Sequence, residues 1–369
     1  VLGDPVGYRD SRTRGMDDKV YEIISEDDLY ARTGIQKAIF NTIYQLMAVK
    51  CEHPEYMDKA KAMLMTPDYF HFLLTGVKMQ EYTMATTGQL VNPETKDWDY
   101  ELIDMLGYNR EMFLPIHTPG TLVGSFKPEI QDVVGFNCNV VLPGTHDTAS
   151  AVLSVPANDD DFLYISSGTW SLMGIETKKA NCSMESKKAN ITNEGGYDYR
   201  FRYLKNIMGL WMIQNVKKEL DNKYSFAELC DMASGCDDFK SRVEVDDDCF
   251  LAPANMIAEV QRYCRDTHQA VPETPGQIAA VIYNSLGECY ARTAQQIEHI
   301  MGRTYSRIHV VGGGANAVYL NQLTAKYTGK EVHAGPTEAT AIGNLTAQML
   351  KEGEFKTVEE ARTCIYHSF

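Results

Sequence analysis

The chain has 369 residues, 44% of them hydrophobic and 10% aromatic, enough for two domains of ordinary size with packed cores. A net charge of -15 and a pI near 5.1 argue against sequence-independent binding to nucleic acid or an anionic membrane surface, which need a concentrated positive field, and point to a small soluble substrate. Nine cysteines, an odd number without a CxxC pair, fit neither a zinc site nor a disulfide framework and predict a reducing compartment, the cytoplasm. No apolar run reaches membrane-spanning length. The start at Val1 has neither an initiator Met nor a signal-peptide pattern, so the chain is expected to begin inside a longer protein.

Apolar residues recur at helical spacing over residues 26–46 and 54–64, with Gly34-Ile35-Gln36 dividing the first stretch. Thr66-Pro67-Asp68 opens a further helix that Thr75-Gly76 ends, and a short helix is expected over 100–106. Residues 115–124 read as a turn-rich connection, and 139–142 as a buried β-branched strand closed by Pro143-Gly144. Small apolar residues from Ala149 to Val155 then suit a helix packed on a sheet. After Pro156 the polar run at 157–161 marks a domain boundary, giving expected domains of 1–156 and 157–369. Beyond it we expect strands at 162–166, 171–176, 307–311 and 331–334, and helices at 208–220, 275–301, 318–327 and 339–350. That order is α/β.

Four segments have the residue types for chemistry. Thr145-His146-Asp147-Thr148 puts a carboxylate where a strand turns into a helix, the edge at which open α/β folds bind ligands. Asp147 there suits either a helix cap or a general base. His146 has neither a GxSxG elbow nor a second His-rich cluster to complete a triad or a metal site, and no metal ligand is predicted. Ser166-Ser167-Gly168-Thr169-Trp170 reads as a hairpin, either plain or a nest whose N–H groups and hydroxyls suit phosphate oxygens.

Gly312-Gly313-Gly314-Ala315-Asn316-Ala317 follows a strand and opens a helix, which lets a nucleotide approach the backbone; a ligand-free tight turn is the other reading. Its loose GxGxxA pattern also suits a dehydrogenase, but the strand at 331–334 ends without the acidic residue that would bind a ribose. Residues 190–196 and 200–211 mix amides, cations and aromatics suited to a polar ligand, and Asn206 there is either a ligand contact or a helix cap. Small residues on one face of 335–344 predict close backbone packing.

Taken together, Tyr8-Arg9-Asp10-Ser11-Arg12, Asn41-Thr42-Ile43-Tyr44-Gln45-Leu46, Glu81-Tyr82-Thr83-Met84-Ala85-Thr86-Thr87, His146-Asp147-Thr148-Ala149-Ser150-Ala151, Ser166 to Gly174, Asn193-Glu194-Gly195-Gly196 and Leu204 to Trp211 closely resemble the FGGY carbohydrate kinases, over nearly the whole chain. The resemblance implies an α/β fold of two actin-like (ribonuclease H-like) domains around a catalytic cleft, with the first domain incomplete. It implies transfer of the γ-phosphoryl group of ATP, with Mg²⁺, to the 1-hydroxyl of L-rhamnulose. By motif, Asp147 then matches the catalytic base, and His146, Thr148 and Asn206 match sugar contacts. Thr169 matches a phosphate hairpin, and Gln214 and Gly313 match the nucleotide side. The family's opening hairpin of Asp-x-Gly-Thr type, which supplies an acidic group toward Mg²⁺, has no counterpart, and the end at Phe369 stops short of the family's tail. The sequence therefore reads as a fragment expected to turn over little by itself. The alternatives are another ketose such as L-fuculose, or a sugar- or nucleotide-binding module without catalysis; no oligomeric state is predicted.

Overall fold

Residues 1–3, 6–7 and 10–369 are described by the computed structural model, so Tyr8-Arg9 of the first motif lie outside the described residues. Two compact units divide the chain. One comprises residues 1–153, 176–203 and 343–358, the other 154–175, 204–342 and 359–369. Each is therefore assembled from separate stretches of sequence.

In the first unit the helical stretch expected over 26–46 forms as Glu26–Thr33 and Thr42–Glu52. Ser25 caps the first by accepting from Asp28 N, and Gly34 ends it in the left-handed region at φ 68°. Pro54–Lys59 and Thr66–Thr75 follow, each with proline in its first turn, where the missing N–H costs nothing. Leu29, Ile43, Leu90, Leu102 and Leu106 are fully buried in one core, each contributing about 1.5–3 kcal/mol relative to exposure. The connection expected at 115–124 contains two strands. Ile116–His117 pairs in parallel with Gln80–Glu81, and Leu122–Ser125 pairs antiparallel with Asn139–Val141. Their partners are distant in sequence, so local pattern does not reveal them.

The helix after this strand is Asp147–Leu153. Its small residues admit Gly343, where an added Cβ would lie 1.7 Å from Ser150 O. That is the close backbone packing expected of the small-residue segment.

In the second unit a sheet runs in the order Glu331–Ala334, Arg307–Val311, Phe162–Ser167, Ser171–Thr177 (as far as Ile175), then residues 204–207 of the strand Phe201–Ile207, whose first three residues belong to the first unit. The first two pairings are parallel, with Val310 opposite Ala334 and Val311 opposite Ser166, and the third is an antiparallel hairpin with Ser167 opposite Ser171. Leu163, Ile308 and Val311 are fully buried in it. The helix Pro275–Met301 starts from a capping box made by Thr274 and Gln277 and ends at Gly302.

Two expectations need correction. The helix foreseen at 208–220 forms only over Trp211–Glu219, because Leu210 N and Trp211 N donate to Gly168 O and Thr169 O of the hairpin. Asn206 is not a helix cap: it lies within the strand Phe201–Ile207, and Leu210 occupies the cap position. That strand escaped notice because four successive residues, Phe201 to Leu204, are buried, which removes the alternation that marks a half-exposed strand.

Candidate active site

Asp147 begins a helix whose first turn is closed by Ala149 N donating to His146 O at 2.8 Å. The carboxylate is 80% exposed, while Thr148 beside it is buried. Thr148 N donates to Asp147 Oδ1 at 2.6 Å, a contact too local to cap the helix.

The preceding loop is fixed by side chains from elsewhere in the same unit. Thr145 donates to Glu81 Oε2 from Oγ1 at 2.6 Å and from N at 3.2 Å. His146 N donates to Thr83 Oγ1 at 3.1 Å, and Ser150 Oγ returns to Gly144 O at 2.7 Å. Glu81 is fully buried and also accepts from Thr83 Oγ1 and N and from Met84 N. Burial pushes its carboxyl pKa up, and the hydroxyl and amide donors oppose that rise. Behind it lies Asp68, also buried, whose pKa burial and the neighbouring Glu81 raise to about 8.

His146 lies between acidic groups. Its Nδ1 is 3.4 Å from Asp147 Oδ1 and its Nε2 is 3.7 Å from Glu194 Oε2. Arg202, with no exposed surface, approaches the same Glu194 oxygen at 3.1 Å. Burial, followed by the charge of Arg202, holds His146 below the usual histidine range against the pull of the two carboxylates.

The second unit presents a different surface. The carboxyl ends of its parallel strands open onto Gly168-Thr169-Trp170, Gly312-Gly313-Gly314 and Gly335-Pro336-Thr337, the sheet edge at which α/β folds take ligands. Thr169 is exposed at the hairpin tip. Gly209 lets the chain cross against that hairpin, since an added Cβ would meet Ser171 N and Trp170 C at 2.5 Å. Gly312 takes φ 85°, open to glycine, and donates to Pro336 O at 3.0 Å. Gly313 is exposed, and a Cβ there would meet nothing within 4 Å. Gln214 lies in the first turn of the helix Trp211–Glu219, which starts on the hairpin, and Asn206 is partly buried in the strand leading to it.

Asp147, His146 and Thr148 thus come together in the first unit, while Thr169, Gln214, Gly313 and Asn206 belong to the second. Sequence reasoning gave Glu81 and Thr83 no role, and took Glu194 and Arg202 only as members of the ligand-suited segments 190–196 and 200–211. For Glu81 and Thr83 the available signal was only their place in the motif at 81–87. Among the described residues, the group of close potential metal ligands is Glu244, Asp246 and Cys289, which includes none of these site residues. All nine cysteines are free, and no described helix is long and apolar enough to cross a membrane.

The fold is that of two-domain α/β sugar and polyol kinases. A xylulose kinase structure from Lactobacillus acidophilus matches 98% of this chain and 73% of its own at a TM-score of 0.74 and 15% identity. A glycerol kinase from Plasmodium falciparum, solved with ADP, matches 99% and 73% at 0.76 and 14%. The N-terminal domain of the FGGY family of carbohydrate kinases matches residues 1–154 and its C-terminal domain residues 163–352, and the chain belongs to that family. It is 52% identical to a rhamnulokinase of Halalkalibacterium halodurans, over the whole of this chain and 78% of the relative. It is 42% identical to a rhamnulokinase of Bacillus subtilis, over the whole chain and 76% of that relative. The protein is therefore a carbohydrate kinase, a transferase whose substrates are a sugar and ATP.

Proposed function

We propose that the protein transfers the γ-phosphoryl group of ATP to the 1-hydroxyl of L-rhamnulose, giving L-rhamnulose 1-phosphate, with Asp147 as general base. The observation that carries the base assignment is the exposed carboxylate at the helix start on a loop pinned by Glu81 and Thr83. The rhamnulokinase relatives support the choice of sugar. Asp147 accepts the hydroxyl proton as the sugar oxygen bonds to phosphorus and the bond to the ADP oxygen breaks. His146, Thr148 and Asn206 hold the sugar so that this hydroxyl is presented.

Residues 1–156 supply the sugar side apart from Asn206, and 157–369 the nucleotide side. Thr169 and the backbone of its hairpin face the phosphates, and Gly313 and Gln214 take the nucleoside end. A glycine with open space at its Cβ position fits such a ligand, because the backbone can be approached closely. Mg²⁺ bound together with ATP would offset the charge of its phosphates; no side chain described above is assigned to it. A cytoplasmic location is consistent with nine free thiols.

A panel of ketoses assayed for ADP release tests the sugar. L-rhamnulose is expected to give the highest kcat/KM. A higher value for L-fuculose would move the assignment to that ketose, and sugar binding without any ADP release would favour a binding module.

A further inference from the structure

Two groups near Asp147 have no part in the reaction as drawn above: the carboxylate of Glu194 and the fully buried guanidinium of Arg202. They sit on adjacent strands of the first unit, Thr192–Gly195 and the start of Phe201–Ile207. We propose that Glu194 and Arg202 are positioning residues for the phosphoryl transfer, acting through His146. Arg202 offsets the charge of Glu194, so that the imidazole stays neutral with Nε2 carrying the proton and Asp147 faces a nitrogen lone pair instead of an N–H. The inference rests on Asp147 being the base.

The hydrogen bonds assign the tautomer. Thr148 N, whose shorter hydrogen bond goes to Asp147 Oδ1 at 2.6 Å, also donates to His146 Nδ1 at 3.3 Å, and an accepting Nδ1 puts the ring proton on Nε2, the side that faces Glu194 Oε2 at 3.7 Å. Asp147 Oδ1 is 3.4 Å from that same Nδ1. Were the ring to take a second proton, the new N–H would point at Asp147 Oδ1, and a charge-assisted hydrogen bond would weaken the carboxylate as a base. Two carboxylates flanking a histidine favour that outcome.

Arg202 works against it. Its Nη2 is 3.1 Å from Glu194 Oε2, and its Nε is tied to Gly195 O at 2.9 Å, which fixes the guanidinium in place. Nη1 and Nη2 have no hydrogen-bond acceptor among the described residues, so the positive charge is spent on Glu194 by proximity alone. Other charged groups nearby are Glu81, engaged by Thr145, Asp68 behind it, and Asp198 on the short helix Tyr197–Tyr199 packed against the helix that Asp147 begins. Burial first, and the Arg202 charge after it, leave His146 below the usual histidine range.

The test is the pH profile of kcat/KM with L-rhamnulose and ATP. In Arg202→Met the unneutralised Glu194 draws a proton onto His146, and the acid limb is expected to move up by about one pH unit. That is about a tenfold loss on the limb, with recovery at higher pH. Arg202→Lys should restore most of it. Because a lone buried carboxylate can prevent folding, the double variant Glu194→Gln/Arg202→Met, which removes both charges, is measured beside it. Its limb is expected close to the wild-type position and well short of the Arg202→Met shift, and NMR titration of His146 should follow the same order. A folded Arg202→Met whose limb does not move, or a double variant displaced upward as far as Arg202→Met, would overturn the proposal. Wild-type turnover in Asp147→Asn would instead overturn the base assignment on which it rests.

Discussion

The loop at residues 144–148 in the first unit and the turns at 168–170 and 312–314 in the second both sit where a strand ends, yet they are held by different means. Side chains fix the first: Glu81, Thr83 and Ser150 each take or give a hydrogen bond to it. Backbone contacts fix the second, with Gly209 pressed on the hairpin and Gly312 bonded to Pro336 O. The difference follows from the ligand chemistry proposed for each. A base must be aimed at one proton, which calls for an oriented carboxylate on a braced loop. Phosphate oxygens are met by N–H groups, which calls for backbone that other atoms can approach.

The contrast is sharpest at two glycines. Gly209→Ala places a Cβ 2.5 Å from backbone atoms of Trp170 and Ser171, which cannot swing aside. We expect a loss of about 3 kcal/mol or more in urea unfolding and a large rise in KM for ATP. Gly313→Ala meets nothing within 4 Å, so it should unfold like the parent while raising KM for ATP. Equal loss of stability at both positions would remove the distinction.

On the other side, Glu81→Gln keeps the volume but turns an amide N–H₂ toward hydroxyl and amide donors. Destabilisation of about 1–3 kcal/mol is expected, with a fall in kcat that exceeds any change in KM for ATP. An unchanged kcat would show that the loop does not need this brace.

A smaller effect is expected from pH. Asp68 has a folded pKa of about 8, raised by burial and by Glu81, against about 3.9 unfolded. The native state then binds the extra proton, so this stabilisation is complete below about pH 4 and is lost as pH rises through about 8. Thermal melts of Asp68→Asn should show a weaker decline over that window than the parent, and parallel curves would contradict the assignment.

Local signals in the sequence set most of the readable elements. The helix Pro275–Met301 has a capping box at one end and glycine at the other, and Arg307–Val311 and Glu331–Ala334 are short β-rich runs between turns. Ser225 and Glu228 mark the helix Phe226–Ser234 in the same way with a capping box. Asp147 was legible as a carboxylate at a strand-to-helix turn. Its supports were not, since Glu81 reaches Thr145 across 64 residues and buried Arg202 breaks the pattern of its own strand. Such pairings exist only once the fold brings them together.

The most direct test of the central claim is ADP release by Asp147→Asn with saturating ATP and L-rhamnulose. The side chain is exposed, so the melting temperature should stay at the parent value and both ligands should still bind by calorimetry. The turnover rate is expected to fall by about 10²–10⁴-fold. Parent-like turnover in a variant that binds both ligands would contradict the role of Asp147.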